Sequence, residues 1–286
     1  MSTSCTLDPE RLCYRIDPPP THAHATVRMS HVTKLRDTFL SSLLLAGIAC
    51  APTATPAPRP MPAPGTMGVP GQTSATLPND VHWFRNAAEH RAIYLEVYRA
   101  AGDRLQTLAA GHAVGTWGVI LDADETILDN SDYERSRVPF GGTYDPAAWT
   151  AWVKQERAPA LPGAVEYATR VHAMGGKVVV VTNRSTEECD PTRANLTSVH
   201  FIADLVLCKG ATGDKNPRFQ SVQDGTAAPG VPAIAVLEWV GDNIQDFPGL
   251  TQAVRTQGDA AFARFGDTFF ALPNPMYGSW ESNPRQ

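Results

Sequence analysis

Apolar residues along this chain follow two rhythms. Trp83, Ala87, Ile93-Tyr94, Val97-Tyr98, Ala101 and Leu105 recur at helical spacing up to Gly111, the pattern of a helix burying one face. Asn79-Asp80 stands before it as a candidate cap, and its aromatic residues read as core rather than as ligand contacts. Beyond Gly111 the pattern changes to short unbroken apolar runs: Val119-Ile120-Leu121, Lys177 to Val181, Phe201 to Leu207 and Ala233 to Val240. Runs of that length predict strands buried on both faces. Helical stretches lie between them. Pro162-Gly163 opens one that closes at Gly175-Gly176, and another follows Asp190-Pro191 with proline at its first position. Strands alternating with helices predict an α/β fold, a parallel sheet with helices on both faces. Residues 131–162, between the first two strands, read as a loop-rich insert heavy in aromatics: Tyr133, Phe140, Tyr144, Trp149 and Trp152.

Three of the strands end in small or acidic polar residues. The first stops at Asp122, followed by Asp124 and Thr126; the second at Thr182-Asn183-Arg184; the fourth at Gly241-Asp242, with Asp246 close behind. Open α/β sheets place ligands at the carboxyl ends of their strands. Asp122, Asp124 and Glu125 lie within four positions and repel one another unless a cation neutralises them, and hard cations prefer oxygen ligands. That stretch alone also admits an acidic turn capping a helix, with Asp124 or Thr126 as the cap. Recurrence at three strand ends of one sheet favours a Mg²⁺ site with a carboxylate nucleophile. Carboxylates plus a hydroxyl at the mouth of a sheet suit phosphoryl transfer. Asp122 and Asp242 would bind the metal, and Asp122 would attack phosphorus to form an aspartyl-phosphate. Asp124 would protonate the leaving alkoxide and then deprotonate the hydrolytic water. Thr182 and a lysine would hold the phosphate oxygens.

The amino-terminal quarter has a different character. Residues 1–28 are polar, contain Pro18-Pro19-Pro20 and show no hydrophobic period, as in a disordered or non-native extension. From Met29, Lys34 and Arg36 precede an apolar stretch, Phe39 to Ile48, that ends in Ala49-Cys50. This is the form of an export signal over residues 29–49; the alternative is a buried helix. Cys50 resembles the lipidated cysteine of bacterial lipoprotein signals, although Gly47 and Ile48 depart from that pattern. Residues 50–78, rich in Pro, Ala, Gly and Thr with Arg59 as their one charge, read as a tether. The expected location is therefore the bacterial cell envelope, in the periplasm or lipid-anchored at the outer membrane.

Composition narrows the function further. The 286 residues, 43% of them hydrophobic, suit one domain (residues 79–286) plus these extensions. A formal charge of −5 offers no basic footprint for a nucleic acid polymer. Eight histidines with no close pair beyond His22 and His24 argue against a histidine zinc site. No apolar run reaches the roughly 18 residues of a membrane span, so any membrane contact would come through a lipid anchor. Cys189 and Cys208 could pair in an exported protein or remain two buried thiols.

Asp122-Ala-Asp-Glu-Thr126, Thr182, a downstream lysine and Gly241-Asp-Asn-Ile-Gln-Asp246, in that order, resemble the four motifs of the haloacid dehalogenase-like phosphohydrolase superfamily. More narrowly, Ile120-Leu-Asp-Ala-Asp-Glu-Thr-Ile-Leu-Asp-Asn-Ser-Asp-Tyr133, Val240-Gly-Asp-Asn-Ile-Gln-Asp-Phe247 and the closing Leu272-Pro-Asn-Pro-Met-Tyr-Gly-Ser-Trp-Glu281 are similar to the class C acid phosphatases. Those are bacterial surface lipoproteins, several of them 5′-nucleotidases. Ala123 and Ile244 are mild departures. The resemblance implies a Rossmann-like fold with a small cap insert and Mg²⁺ as cofactor. It implies Asp122 as nucleophile and Asp124 as acid/base. The metal would be held by the Asp122 carboxylate, the Asp124 backbone carbonyl and Asp242, with Asp246 supporting from behind. Thr182, Asn183 and a lysine would contact phosphate; Lys215 matches the family position better than Lys209. Trp149 and Tyr277, with Tyr144 weaker, match rings that sandwich the substrate's base. The implied substrates are nucleoside 5′-monophosphates or nicotinamide mononucleotide, and the family tends towards homodimers. Two alternatives stand beside this: a broad-specificity aryl or sugar phosphatase, and a phosphate- or nucleotide-binding surface lipoprotein without turnover.

Overall fold

The computed structural model describes residues 76–285; the export signal, Cys50 and most of the tether lie outside them. Two helices open the described chain, α1 (Asn79–Asn86) and α2 (Ala88–Leu108). The periodicity predicts one continuous helix here, but Ala87 takes an extended conformation (φ −77°, ψ 133°). Across this corner Phe84 meets His90, ring centroids 4.2 Å apart, and Tyr94 packs edge-on against Phe84. No turn residue marks the break; tertiary stacking decides it.

Five parallel strands follow: β1 (Trp117–Leu121), β2 (Lys177–Ser185), β3 (Leu205–Lys209), β4 (Ala235–Gly241) and β5 (Phe269–Ala271). Their spatial order is β3-β2-β1-β4-β5, with β1 at the centre. The helices between them are α3 (Ser131–Arg137), α4 (Pro146–Val153), α5 (Ala164–Ala173), α6 (Cys189–Ser198) and α7 (Asn216–Asp224). The α/β parallel architecture is therefore as the sequence pattern implies. Details differ. The insert expected to be loop-rich carries α3 and α4. The third strand begins at Leu205 rather than Phe201, and α6 starts two residues before Pro191. The three-residue β5 is too short for a periodic signal; it joins the sheet by register, Trp239 opposite Phe269 and Gly241 opposite Ala271.

Alternation along the strands sorts the core into two layers. Val119, Leu121, Val178, Val180 and Val240 join one cluster with Tyr94, Tyr98, Leu105, Tyr167 and Val171 from α2 and α5. Ile120, Val179, Val181 and Trp239 face the other way, against Phe219 and Val222 of α7 and against Phe247. Both faces are covered, which is why these strands read as unbroken apolar runs. Gly176 precedes β2 because the Trp117 ring lies where a side chain would stand, 2.4 Å from an added Cβ. Cys189 and Cys208 form a disulfide, Cα atoms 5.9 Å apart, that ties the start of α6 to β3. In the chain-entropy view a loop of this length contributes about 3 kcal/mol.

The sheet's interior also holds a carboxyl away from the strand ends. Glu238 in β4 is fully buried; one oxygen accepts the Tyr167 hydroxyl at 2.6 Å, and the other has no partner among the described residues. Burial pushes its pKa up to about 8, against the opposing pull of the Tyr167 hydrogen bond. The folded chain thus holds a proton that the unfolded chain releases near the ordinary glutamate value, about 4.3. Stability from this site falls as pH rises through that window. Glu238→Gln should melt close to the native protein near pH 4–5 and above it near pH 8, as followed by circular dichroism.

Candidate active site

β1 ends at Asp122, whose backbone N–H donates to Val240 O at 3.0 Å and so continues the ladder into the first loop residue. The chain then closes a tight turn: Ile127 and Leu128 both donate to Ala123 O at 2.9 Å, and Glu125 adopts φ +50°. A left-handed glutamate needs outside support. It comes from α2, where Tyr94 donates to Glu125 O at 2.5 Å and Tyr98 to Thr126 O at 2.7 Å. Spaced four apart on one helix face, these two tyrosines pack the core with their rings and hold the acidic turn with their hydroxyls.

β4 ends beside it. Asp242 accepts Thr126 Oγ1 at 3.2 Å and Asn274 Nδ2 at 2.9 Å. A short helical turn, Ile244–Asp246, then returns Asp246 to the strand end, where its carboxylate accepts the Asn243 N–H at 2.9 Å. Gly241 permits this return, because an added Cβ would lie 2.4 Å from Asp246 Cβ and Oδ2. Carboxylate oxygens of Asp122, Asp242 and Asp246 all fall within 4.8 Å of one another.

Lys215 is buried among them. Its ammonium donates to Asp122 Oδ1 and, at 2.6 Å, to Asp246 Oδ1. Burial works against the ammonium, but the two carboxylates outweigh it and raise its pKa above the ordinary lysine value. Burial likewise pushes Asp122 up to about 7, with Lys215 opposing and Asp246 and Asp124 adding repulsion. Asp242 is raised well above the carboxylate range by burial and by repulsion from Asp246 and Asp122. Three carboxylates with one lysine leave uncompensated negative charge. An all-oxygen donor set of this kind fits a hard divalent cation.

These groups floor a cavity of about 440 Å³. Asp122, Asp124, Asn183, Lys215, Asp242 and Asp246 all line it, and Trp149, Tyr144 and Tyr277 stand around it. Tyr277 reaches across with its hydroxyl to donate to Glu125. Lys209 is the last residue of β3 and is not among the residues lining the cavity. The expected phosphate contact Thr182 is fully buried, and its hydroxyl turns back to accept the Arg184 N–H at 3.1 Å. Thr182 lies within β2 and, unlike its neighbour Asn183, is not among the residues lining the cavity.

Asp124 stands apart from the three clustered carboxylates. Its Oδ1 accepts Arg184 Nε at 2.9 Å, Arg184 Nη2 at 2.7 Å and Asn130 Nδ2 at 2.9 Å. Sequence reading passes over Arg184 and Asn130. Arg184 is written beside Thr182-Asn183, but nothing in the chain order pairs it with an acid 60 positions earlier.

A model of the acid phosphatases of the HAD superfamily, subfamily IIIB, matches residues 65–280. Acid phosphatase 1 of tomato (Solanum lycopersicum) is 29% identical over 167 residues, which is 55% of this chain and 57% of that protein's length. Among solved structures, the class C acid phosphatase of Bacillus anthracis is similar, with TM-score 0.63 and 28% identity over 71% of this chain and 85% of the other. The same enzyme with tungstate bound gives TM-score 0.62 at the same identity and coverage.

Lysine 215 is the cation that makes this carboxylate group tolerable. Replacing it by methionine leaves Asp122 and Asp246 buried without it, and breaking such a pair costs about 3–5 kcal/mol. With Lys215 gone, the folded-state carboxylates gain protons more readily, so the loss is largest at high pH and shrinks as pH falls towards the ordinary aspartate value. Urea unfolding of Lys215→Met in EDTA should show a deficit near pH 8 that largely closes near pH 5.

Proposed function

This chain belongs to the acid phosphatases of HAD subfamily IIIB, and on that footing we propose that it is a divalent-metal-dependent phosphomonoesterase working through an aspartyl-phosphate on Asp122. The observation that carries this proposal is the pairing of two differently held acids on one cavity wall. Asp122 is fixed by Lys215 beside two further carboxylates, and Asp124, two residues on, is held separately by Arg184. A binding protein gains nothing from that pair. The class C acid phosphatase of Bacillus anthracis has also been solved with tungstate bound, a tetrahedral oxyanion like phosphate, which is consistent with a phosphoryl pocket here.

In the proposed reaction an Asp122 oxygen forms a bond to phosphorus as the bond to the leaving oxygen breaks. Asp124 delivers its proton to that oxygen. Water then attacks phosphorus, gives its proton to Asp124, and phosphate leaves as the Asp122 carboxylate is restored. Asp122 and Asp242 would hold the cation with the Asp124 carbonyl, and Asp246 would support them while held by Lys215 and the Asn243 N–H. The chemistry that a Mg²⁺ ion supplies when bound is neutralisation of the carboxylates and polarisation of the phosphoryl oxygens. Lys215 and Asn183 would hold phosphate oxygens, and Thr182 would act by shaping the strand end.

The substrate's organic part would occupy the space between Trp149 and Tyr277. Two rings on one cavity suit the planar base of a nucleoside 5′-monophosphate or nicotinamide mononucleotide. Export, with anchoring through Cys50, belongs to the same proposal.

Phosphate release from AMP by the full chain, with Mg²⁺ and with EDTA, tests the assignment. The expected result is metal-dependent turnover that Asp122→Asn abolishes. Turnover of an aryl phosphate without AMP would leave the mechanism and discard the nucleotide, and no turnover of either would point to a binding lipoprotein. Stacking on a ring contributes about 1–3 kcal/mol. Trp149→Ala should therefore raise the KM for AMP about 5- to 150-fold. An unchanged KM would remove Trp149 from the substrate site.

A further inference from the structure

Arg184 is the most fully enclosed cation of the site, 1% exposed, and every nitrogen of its guanidinium is engaged. Nε and Nη2 both donate to Asp124 Oδ1, Nη2 also to Asn130 Oδ1 at 3.1 Å, and Nη1 to Thr192 Oγ1 at 3.2 Å. Its position is itself fixed from two directions. Thr192, on α6, donates its hydroxyl to Glu188 O at 2.7 Å. Asn130 accepts the Trp152 indole N–H at 2.9 Å from α4. Over the guanidinium lies the Trp149 ring, its centre 5.5 Å from the carbon. The sheet, the first loop and the cap helix therefore converge on one carboxylate oxygen.

The consequence for Asp124 is asymmetry. Oδ1 takes three donors, whereas Oδ2 takes none among the described residues. An oxygen receiving three N–H groups cannot also carry a proton pointing at them. We infer that Arg184 is a positioning residue that locks Oδ1 and reserves Oδ2 of Asp124 as the oxygen that meets the leaving group. The inference rests on the phosphatase proposal above and deepens it. Arg184 touches neither phosphorus nor the leaving oxygen; it acts through Asp124. Lysine cannot replace it, since a single ammonium lacks the planar fork that grips Asp124, Asn130 and Thr192 together.

Acid assistance matters most when the leaving group is a poor one. An alkoxide such as the 5′-oxygen of AMP needs a proton as it departs, whereas p-nitrophenolate departs without one. A proton donor typically contributes 10²–10⁴-fold. Full-chain wild type, Arg184→Ala, Arg184→Lys and Asp124→Asn would be compared on AMP and on p-nitrophenyl phosphate, with melting curves beside them. Both Arg184 variants should lose about 10²-fold in kcat/KM on AMP, which reports the steps up to departure of the leaving group and not the later attack of water, and under about 10-fold on p-nitrophenyl phosphate, the pattern of Asp124→Asn. Guanidinium chloride in the millimolar range should restore part of the AMP rate in Arg184→Ala alone. Equal losses of kcat/KM on the two substrates in the folded Arg184→Lys protein, or a kcat/KM on AMP near wild type, would overturn the positioning role and leave the phosphatase intact. Should Arg184→Ala fail to fold, Arg184→Lys, which keeps a buried cation, carries the comparison. Absence of turnover by the wild-type protein on either substrate would overturn the phosphatase proposal, and this one with it.

Discussion

Three carboxylates lie within 4.8 Å of one another at the end of a parallel sheet, Asp122 and Asp246 buried and bridged by a single lysine and Asp242 half-buried beside them. Charge of one sign in a low-dielectric pocket repels strongly, and most of the local architecture is occupied with containing it. The Asp122–Lys215–Asp246 contacts answer part of the repulsion. Hydrogen bonds to Asp242 from Thr126 and Asn274 answer another part. What remains is the opening for a cation. The positions of α7, of the turn after β4 and of the closing segment around Asn274 each follow from having to deliver one group to this cluster.

The acidic turn between β1 and α3 is the second consequence. It presents Asp122 and Asp124 to different partners, and directly after them the chain passes through a left-handed Glu125. Such a conformation persists only when neighbours over-determine it. Tyr94 and Tyr98 do so from below, and Asn130 does so from within the turn by donating its N–H to Glu125 Oε1 at 2.7 Å. Tyr277, arriving from the far end of the chain, completes the enclosure of the Glu125 carboxyl. Burial and the nearby Asp124 charge push that carboxyl's pKa well above the ordinary range.

The cap insert is coupled to the sheet by polar contacts as much as by packing. Trp152 reaches Asn130, Trp149 covers Arg184, and Thr150 donates to Glu188 at 2.7 Å. Glu188 neighbours Cys189, whose disulfide fixes the start of α6 to β3. The same helix, α4, thus contributes a ring to the cavity and support to the residues beneath it. Substrate-facing and acid-positioning parts of the pocket are physically continuous.

Local signals in the sequence were enough for the parallel α/β architecture, because strands buried on both faces must be written as unbroken apolar runs whatever surrounds them. They were also enough to nominate Asp122, Asp124 and Asp242, since acids immediately after such runs have no packing purpose. Elements governed by distant contacts were not legible. The corner at Ala87 depends on Phe84 meeting His90, β5 on register with Trp239, and the choice between paired and free Cys189 and Cys208 on how α6 lies against β3. Thr182, expected from the sequence to follow the second strand, lies within β2, its hydroxyl accepting the Arg184 N–H. Arg184 and Asn130 stand within stretches the sequence singles out, yet no role could be read for either, because their roles exist only where the first loop, the second strand and the cap come together. Chain order determined which residues could end a strand; only the tertiary structure decided which of those ends shared a carboxylate, because ion pairs and hydrogen bonds act through space over a few ångströms.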